Sequence, residues 1–118
     1  MKLLTQQIRE RLLENGRLQS AVEDTDAELD FFPVVKLFTP DGACTWLLTE
    51  LDPGDPDIAF GLCDLGMGYP ELGSVRISEL ESVRGRLGLP VERDLYFSPD
   101  KAISAYADEA RKRGRIEA

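Results

Sequence analysis

Between Pro33 and Ile77 the period of this chain changes to two, and tight-turn residues punctuate the run. That period is the signature of half-buried strands, because successive side chains on an extended backbone point to opposite faces. Four short strands are predicted: "VVKLF" (Val34 to Phe38), "ACTWLLTE" (Ala43 to Glu50), "IAFGLCD" (Ile58 to Asp64) and "SVRI" (Ser74 to Ile77). Proline fixes φ and glycine allows φ > 0, so "TPDG" at Thr39–Gly42 and "DPGDPD" at Asp52–Asp57 read as turns, with "GMGYPELG" a longer third loop. Consecutive antiparallel pairing gives a meander. If Glu50 pairs with Ile58, then Leu48 faces Phe60 and Trp46 faces Leu62. Cys44, Trp46, Leu48, Ile58, Phe60 and Leu62 then share one buried face, which Val35, Leu37, Val75 and Ile77 can join. In that register Cys63 points away from Cys44.

Helical signals flank this sheet. Thr5 is placed to cap a first helix, with Ile8, Leu12 and Leu13 on its inner face and a stop expected at Asn15–Gly16. "LQSAVEDTDAELD" then reads as an acidic connector. Ser78 and Glu81 have the spacing of a capping box for a short helix that Gly85 ends. Beyond it "GRLGLP" is a loop and "DLYF" a short extended piece. Ser98–Pro99 suits the start of a last helix, whose inner face is Ala102, Ile103, Tyr106, Ala107 and Ala110. The expected fold is α+β, one domain over residues 1–118: a four-stranded antiparallel meander with an N-terminal helix, a short helix after the last strand and a C-terminal helix, packed on one side. Residues 111–118 are expected to form a flexible basic tail.

Composition restricts the chemistry. The chain has 118 residues, no histidine and two cysteines. Serine–histidine and cysteine–histidine catalysis are therefore excluded within one chain, and two cysteines fall short of a structural zinc set. No apolar run is long enough to cross a bilayer, and Gln6–Gln7 interrupt the short apolar start, so neither a membrane segment nor a signal peptide is expected and the cytoplasm is the expected compartment. The net charge of −8 is uneven: from Glu23 to Asp64 there are eleven acids and one base, Lys36, whereas "RKRGR" (Arg111 to Arg115) carries four positive charges. The body would repel nucleic acid, and the tail could touch it weakly.

Each candidate site has a plainer structural explanation beside it. Glu50, Asp52, Asp55 and Asp57 form an acidic surface that could hold a hard cation, but the spacing matches no EF-hand and a solvated hairpin tip accounts for it. "GLCDLGMGYPELG" matches neither a P-loop nor a dinucleotide fingerprint, so no cofactor is expected. Trp46 falls on the core face, whereas Tyr69, in a Gly/Pro loop, is a candidate contact residue. Arg84, Arg86 and Arg93 form a candidate anion or nucleic-acid site, or else pair with Glu79, Glu81, Glu92 and Asp94 in an internal ion-pair network. No catalytic residue and no metal site are assigned.

The pieces "MKLLT", "VVKLFTPDGACTWLLTELD", "FGLCDLGMGYPELGSVRISELESVRGRLGLP" and "VERDLYFSP" give the chain a likeness. It resembles a bacterial domain-of-unknown-function family frequent on conjugative plasmids, integrative elements and phages. The block from Ser78 to Phe97 is the most specific part, and Arg86 stands where that pattern leads one to expect proline. The resemblance implies an accessory protein of mobile DNA and supplies no catalytic residues. Together these readings favour a non-enzymatic protein that recognises another protein through its acidic surface. The alternatives are nucleic-acid binding through Arg84, Arg86, Arg93 and the tail, and a metal-dependent hydrolase using Asp52, Asp55, Asp57 and Asp64.

Overall fold

A computed structural model describes residues 2–118. Its elements run α1 (Gln6–Ser20), β1 (Val35–Phe38), β2 (Thr45–Asp52), β3 (Asp55–Asp64), β4 (Glu71–Arg76), α2 (Ile77–Ser82), β5 (Glu92–Arg93) and α3 (Ile103–Arg113). The fold is α+β, and the antiparallel sheet has five strands rather than four, in the order β4-β3-β2-β1-β5. The added strand is short: Arg93 pairs with Leu37 and Glu92 with Phe38. Two residues carry no periodicity, so nothing in the sequence separates them from the loop around them.

The β2–β3 register differs from the expected one. Trp46 pairs with Cys63, Leu47 with Leu62 and Leu48 with Gly61, and beyond Thr49 the pairing resumes with Glu50 opposite Phe60. The turn also closes earlier, around Pro53–Gly54, so that Asp52 faces Asp55. Thr49 is a β-bulge, one extra residue that two-residue periodicity cannot reveal. A one-residue slip moves a whole strand's side chains to the other face. Trp46 and Leu48 therefore keep the expected face, while Ile58, Phe60 and Leu62 turn to the opposite one. Cys63, directly across from Trp46, joins Cys44 on the first face; both thiols are free and half-buried.

Both faces of the sheet are consequently covered, not one. On the first face Val35, Leu37, Trp46, Leu48 and Ala59 pack with Leu12 of α1, Ile77 and Leu80 of α2, and Leu3 and Leu4. On the second, Leu47 and Leu62 pack under Ile103, Tyr106, Ala107 and Ala110 of α3. The unbroken run Trp46-Leu47-Leu48, fully buried, is what a strand with helices on both sides requires.

The bulge also explains why α1 does not stop at Asn15–Gly16. Thr5 caps the helix as expected, its side chain accepting from the Ile8 N–H at 3.1 Å. The helix then continues to Ser20, because Asn15 and Gly16 dock on β2. Asn15 Nδ2 donates to the Thr49 carbonyl at 2.9 Å. At Gly16 a Cβ would lie 1.8 Å from the Leu51 carbonyl oxygen, so only glycine admits that strand. Close approach, not termination, is its role.

The later helices depart from expectation in a shared way. α2 begins one residue before Ser78, and no side chain of its own caps it. Instead Asp57 accepts from the Ser78 N–H at 2.9 Å and the Ser78 hydroxyl at 2.6 Å. α3 begins at Ile103, beyond Ser98–Pro99, again without a local side-chain cap. Asp30 accepts from the Ser104 N–H at 3.1 Å and from the Ser104 hydroxyl. Carboxylates brought in from elsewhere in the chain replace the local caps, with the same helix-dipole benefit. Nor does Gly85 end α2, whose C-cap is Val83. Gly85 faces Asp41, whose Oδ1 would lie 1.6 Å from an added Cβ.

Candidate protein-binding groove

At the Asp52 end of β2, the second face of the sheet is left partly open by α3. A groove of about 560 Å³ lies there, between the sheet, the end of α1 and residues 28–30. Its floor is Ile58 and Phe60, which the register turned to this face, and Leu72 of β4. Glu23, Glu28, Asp30, Glu50 and Asp52 line it, and among the described residues no lysine or arginine does. Glu50 sits half-buried because the Thr49 bulge shifts it from the first face to this one. Burial pushes its carboxyl above the ordinary glutamate value; hydrogen bonds from Thr49 and Gln19 oppose this, and the Glu23 and Glu28 charges add to the rise. Five carboxylates around an apolar floor favour a ligand that brings both positive charge and apolar side chains.

Apart from Glu50, the acidic residues singled out from the sequence are engaged in the fold, Asp52 of the groove lining among them. Asp52 accepts from the Gly54 N–H at 2.8 Å. Asp55 and Asp57 contact Arg76 at 3.2 and 3.6 Å. Ser78's side-chain hydroxyl, then its amide, hold the Asp57 carboxyl below the usual range, and Arg76 adds to this. Asp64 is buried, accepting from the Gly66 N–H at 2.8 Å and the Ile116 N–H at 2.9 Å. Among the described residues no three His, Cys, Asp or Glu side chains are grouped to hold a metal ion.

The three arginines do not come together, and the expected pairing with carboxylates is replaced by pairing with backbone. Arg84 Nη1 donates to the Glu81 and Val83 carbonyls at 3.0 and 2.8 Å, satisfying the end of α2. Arg93 Nη1 donates to the Leu3 carbonyl at 2.5 Å and pins the N-terminal segment to the sheet edge. Arg86 is exposed and has no hydrogen-bond or ion-pair partner among the described residues. The tail is internally paired: Arg113 and Arg115 with Glu117, and Arg111 with Asp108. Tyr69 is 82% exposed on the β3–β4 loop, beside exposed Leu65 and Met67.

Glu23, Glu28 and Asp30 of the groove were legible in the sequence only as charge density. Ile58, Phe60 and Leu72 carried no signal that distinguished a groove floor from core.

Fold and surface together define a small α+β domain with a two-sided core and a carboxylate-lined groove. The chain belongs to the family described as protein of unknown function (DUF2958), which it matches over residues 3–117. No curated protein and no solved structure matches it. Among the described residues no helix is long and apolar enough to cross a membrane.

Proposed function

We propose that the chain is a non-enzymatic accessory binding protein that receives a basic, apolar-bearing segment of another protein in the groove between α1, α3 and the sheet. The observation that carries this reading is the pairing of an apolar floor with five carboxylates and no lining cation. Carboxylates so placed attract a cationic segment over distance and fix its register, while the floor supplies the contact area that makes binding persist. In charge the groove imitates a nucleic-acid backbone, which suits it to occupy a basic surface of its partner. A setting on bacterial mobile DNA belongs to this proposal and rests on the sequence likeness; a cytoplasmic setting belongs to it as well and rests on the shortness of the apolar segments. Nucleic-acid binding is the weaker reading, because Arg84 and Arg93 are committed to the chain's own backbone and the tail arginines to its own acids.

The test is fluorescence anisotropy with a labelled peptide of alternating arginine and leucine. Saturable binding is expected, weakened roughly tenfold or more by the double charge reversal Glu23→Lys/Glu28→Lys and weakened by added salt. Binding that is absent, or indifferent to the reversal, overturns the proposal.

A further inference from the structure

A segment of the chemistry that the groove favours is displayed on the chain itself, at the far end of β2. The loop from Arg84 to Pro90 docks on the Thr39–Gly42 turn, where Asp41 Oδ2 accepts from the Leu87 and Leu89 N–H groups at 2.7 and 3.3 Å. Gly85 donates to the Leu89 carbonyl at 2.9 Å, Gly88 to the Gly85 carbonyl at 3.0 Å, and Arg84 bridges to Pro90. The loop is thus held in one shape, yet it leaves Leu87 81% exposed beside exposed Arg86. With the loop backbone already ordered, only the side chains of Arg86 and Leu87 have freedom left to lose when they bind. The loop cannot reach the groove of its own chain, since the eight residues of β2, about 26 Å of extended backbone, lie between them.

We propose that the occupant of the groove is this loop from a second copy of the chain, with Leu87 on Phe60 and Leu72 and Arg86 among the carboxylates of Glu23, Glu28 and Glu50. The proposal rests on reading the groove as a receptor for a basic, apolar segment. Charge complementarity selects the occupant: Arg86 is a cation with no partner among the described residues, next to an exposed leucine, and every charged residue lining the groove is acidic. The contact joins unlike surfaces, so copies associate head to tail, closing as a reciprocal pair or continuing as a chain. The overall charge of −8 opposes their approach and keeps the association weak.

Analytical ultracentrifugation of the full chain over a range of concentrations tests this. The wild type is expected to gain mass with concentration, while a loop variant (Arg86→Glu/Leu87→Asp) and a groove variant (Glu23→Lys/Glu28→Lys) each remain monomeric. An equimolar mixture of the two variants regains a one-to-one complex, because each supplies the half the other lacks. All four variant positions are exposed, though Glu28 also accepts from the Asp24 N–H at 2.8 Å; circular dichroism melts check each variant, and if a double variant melts early, Arg86→Glu or Glu23→Lys alone takes its place. A wild type that stays monomeric, a loop variant that associates as well as the wild type, or a mixture that stays monomeric overturns the proposal. If the arginine–leucine peptide nevertheless binds in a Glu23- and Glu28-dependent way, only the second copy is discarded as occupant. If that peptide also fails to bind, the reading of the groove falls with it.

Discussion

Four aspartates, Asp30, Asp41, Asp57 and Asp64, each hold a backbone segment remote in sequence. Asp57 reaches 21 residues to Ser78 and Asp30 reaches 74 to Ser104. Their charge was plain in the sequence, but their work was not, because a carboxylate bound for a distant amide looks the same as one bound for water. Asp57→Ala is expected to destabilise the domain, as loss of a helix cap does, and to lower the midpoint of urea unfolding. Because the folded state holds the Asp57 carboxyl below its ordinary value of 3.8, this contribution is complete above that pH and fades as pH falls through the lowered value. The gap between wild type and Asp57→Ala should therefore narrow in acid; a gap that widens would contradict the clamp. Gly16→Ala places a methyl on the Leu51 carbonyl and forces α1 off β2. A loss of roughly 1–3 kcal/mol is expected from the same measurement, although alanine is the better helix former.

The elements divide by how their information is stored. Strands β1 to β4 and the capped start of α1 were legible because alternation and a Thr cap are local patterns. The register of β2 on β3 was not, because it turns on one inserted residue, Thr49, whose carbonyl is satisfied by Asn15 of a helix far off in sequence. β5 is a strand only because β1 lies beside it. Arg93 makes that edge useful by holding the Leu3 carbonyl and so seating Leu3 and Leu4 in the core. Arg93→Ala should release this segment: hydrogen exchange at the start of α1 should quicken while β2 and β3 keep their protection. A stability loss of about 1.5–3 kcal/mol is expected for a charge-assisted bond of this kind. Uniform exchange across the domain would mean instead that Arg93 supports the whole fold.

Across the whole molecule the asymmetry of charge seen in the sequence becomes a geometry, with an acidic groove at one end of β2 and an arginine-bearing loop at the other. The groove required the unforeseen bulge, which brings Glu50 and Phe60 to the same face. Since folding raises the Glu50 carboxyl above its ordinary value, its neutral form is favoured in the native state. That contribution is full below the ordinary glutamate value and is lost as pH rises through the raised one. Glu50→Gln should therefore be more stable than the wild type at neutral pH and indistinguishable from it in acid, as urea melts from about pH 4 to about pH 8 would reveal. Equal stability throughout would mean that Glu50 is fully solvated. The docking of α1 on β2 has a further, chemical consequence. Asn15 is the chain's single asparagine, and it precedes glycine, the pairing most prone to lose its side-chain amide through attack by the next backbone nitrogen. Helical backbone and the bond to Thr49 keep that nitrogen and that amide from meeting in the folded state. Deamidation at this one position therefore ages only unfolded molecules, and its extent in a stored sample, read by mass spectrometry, is a running record of the time the chain has spent open.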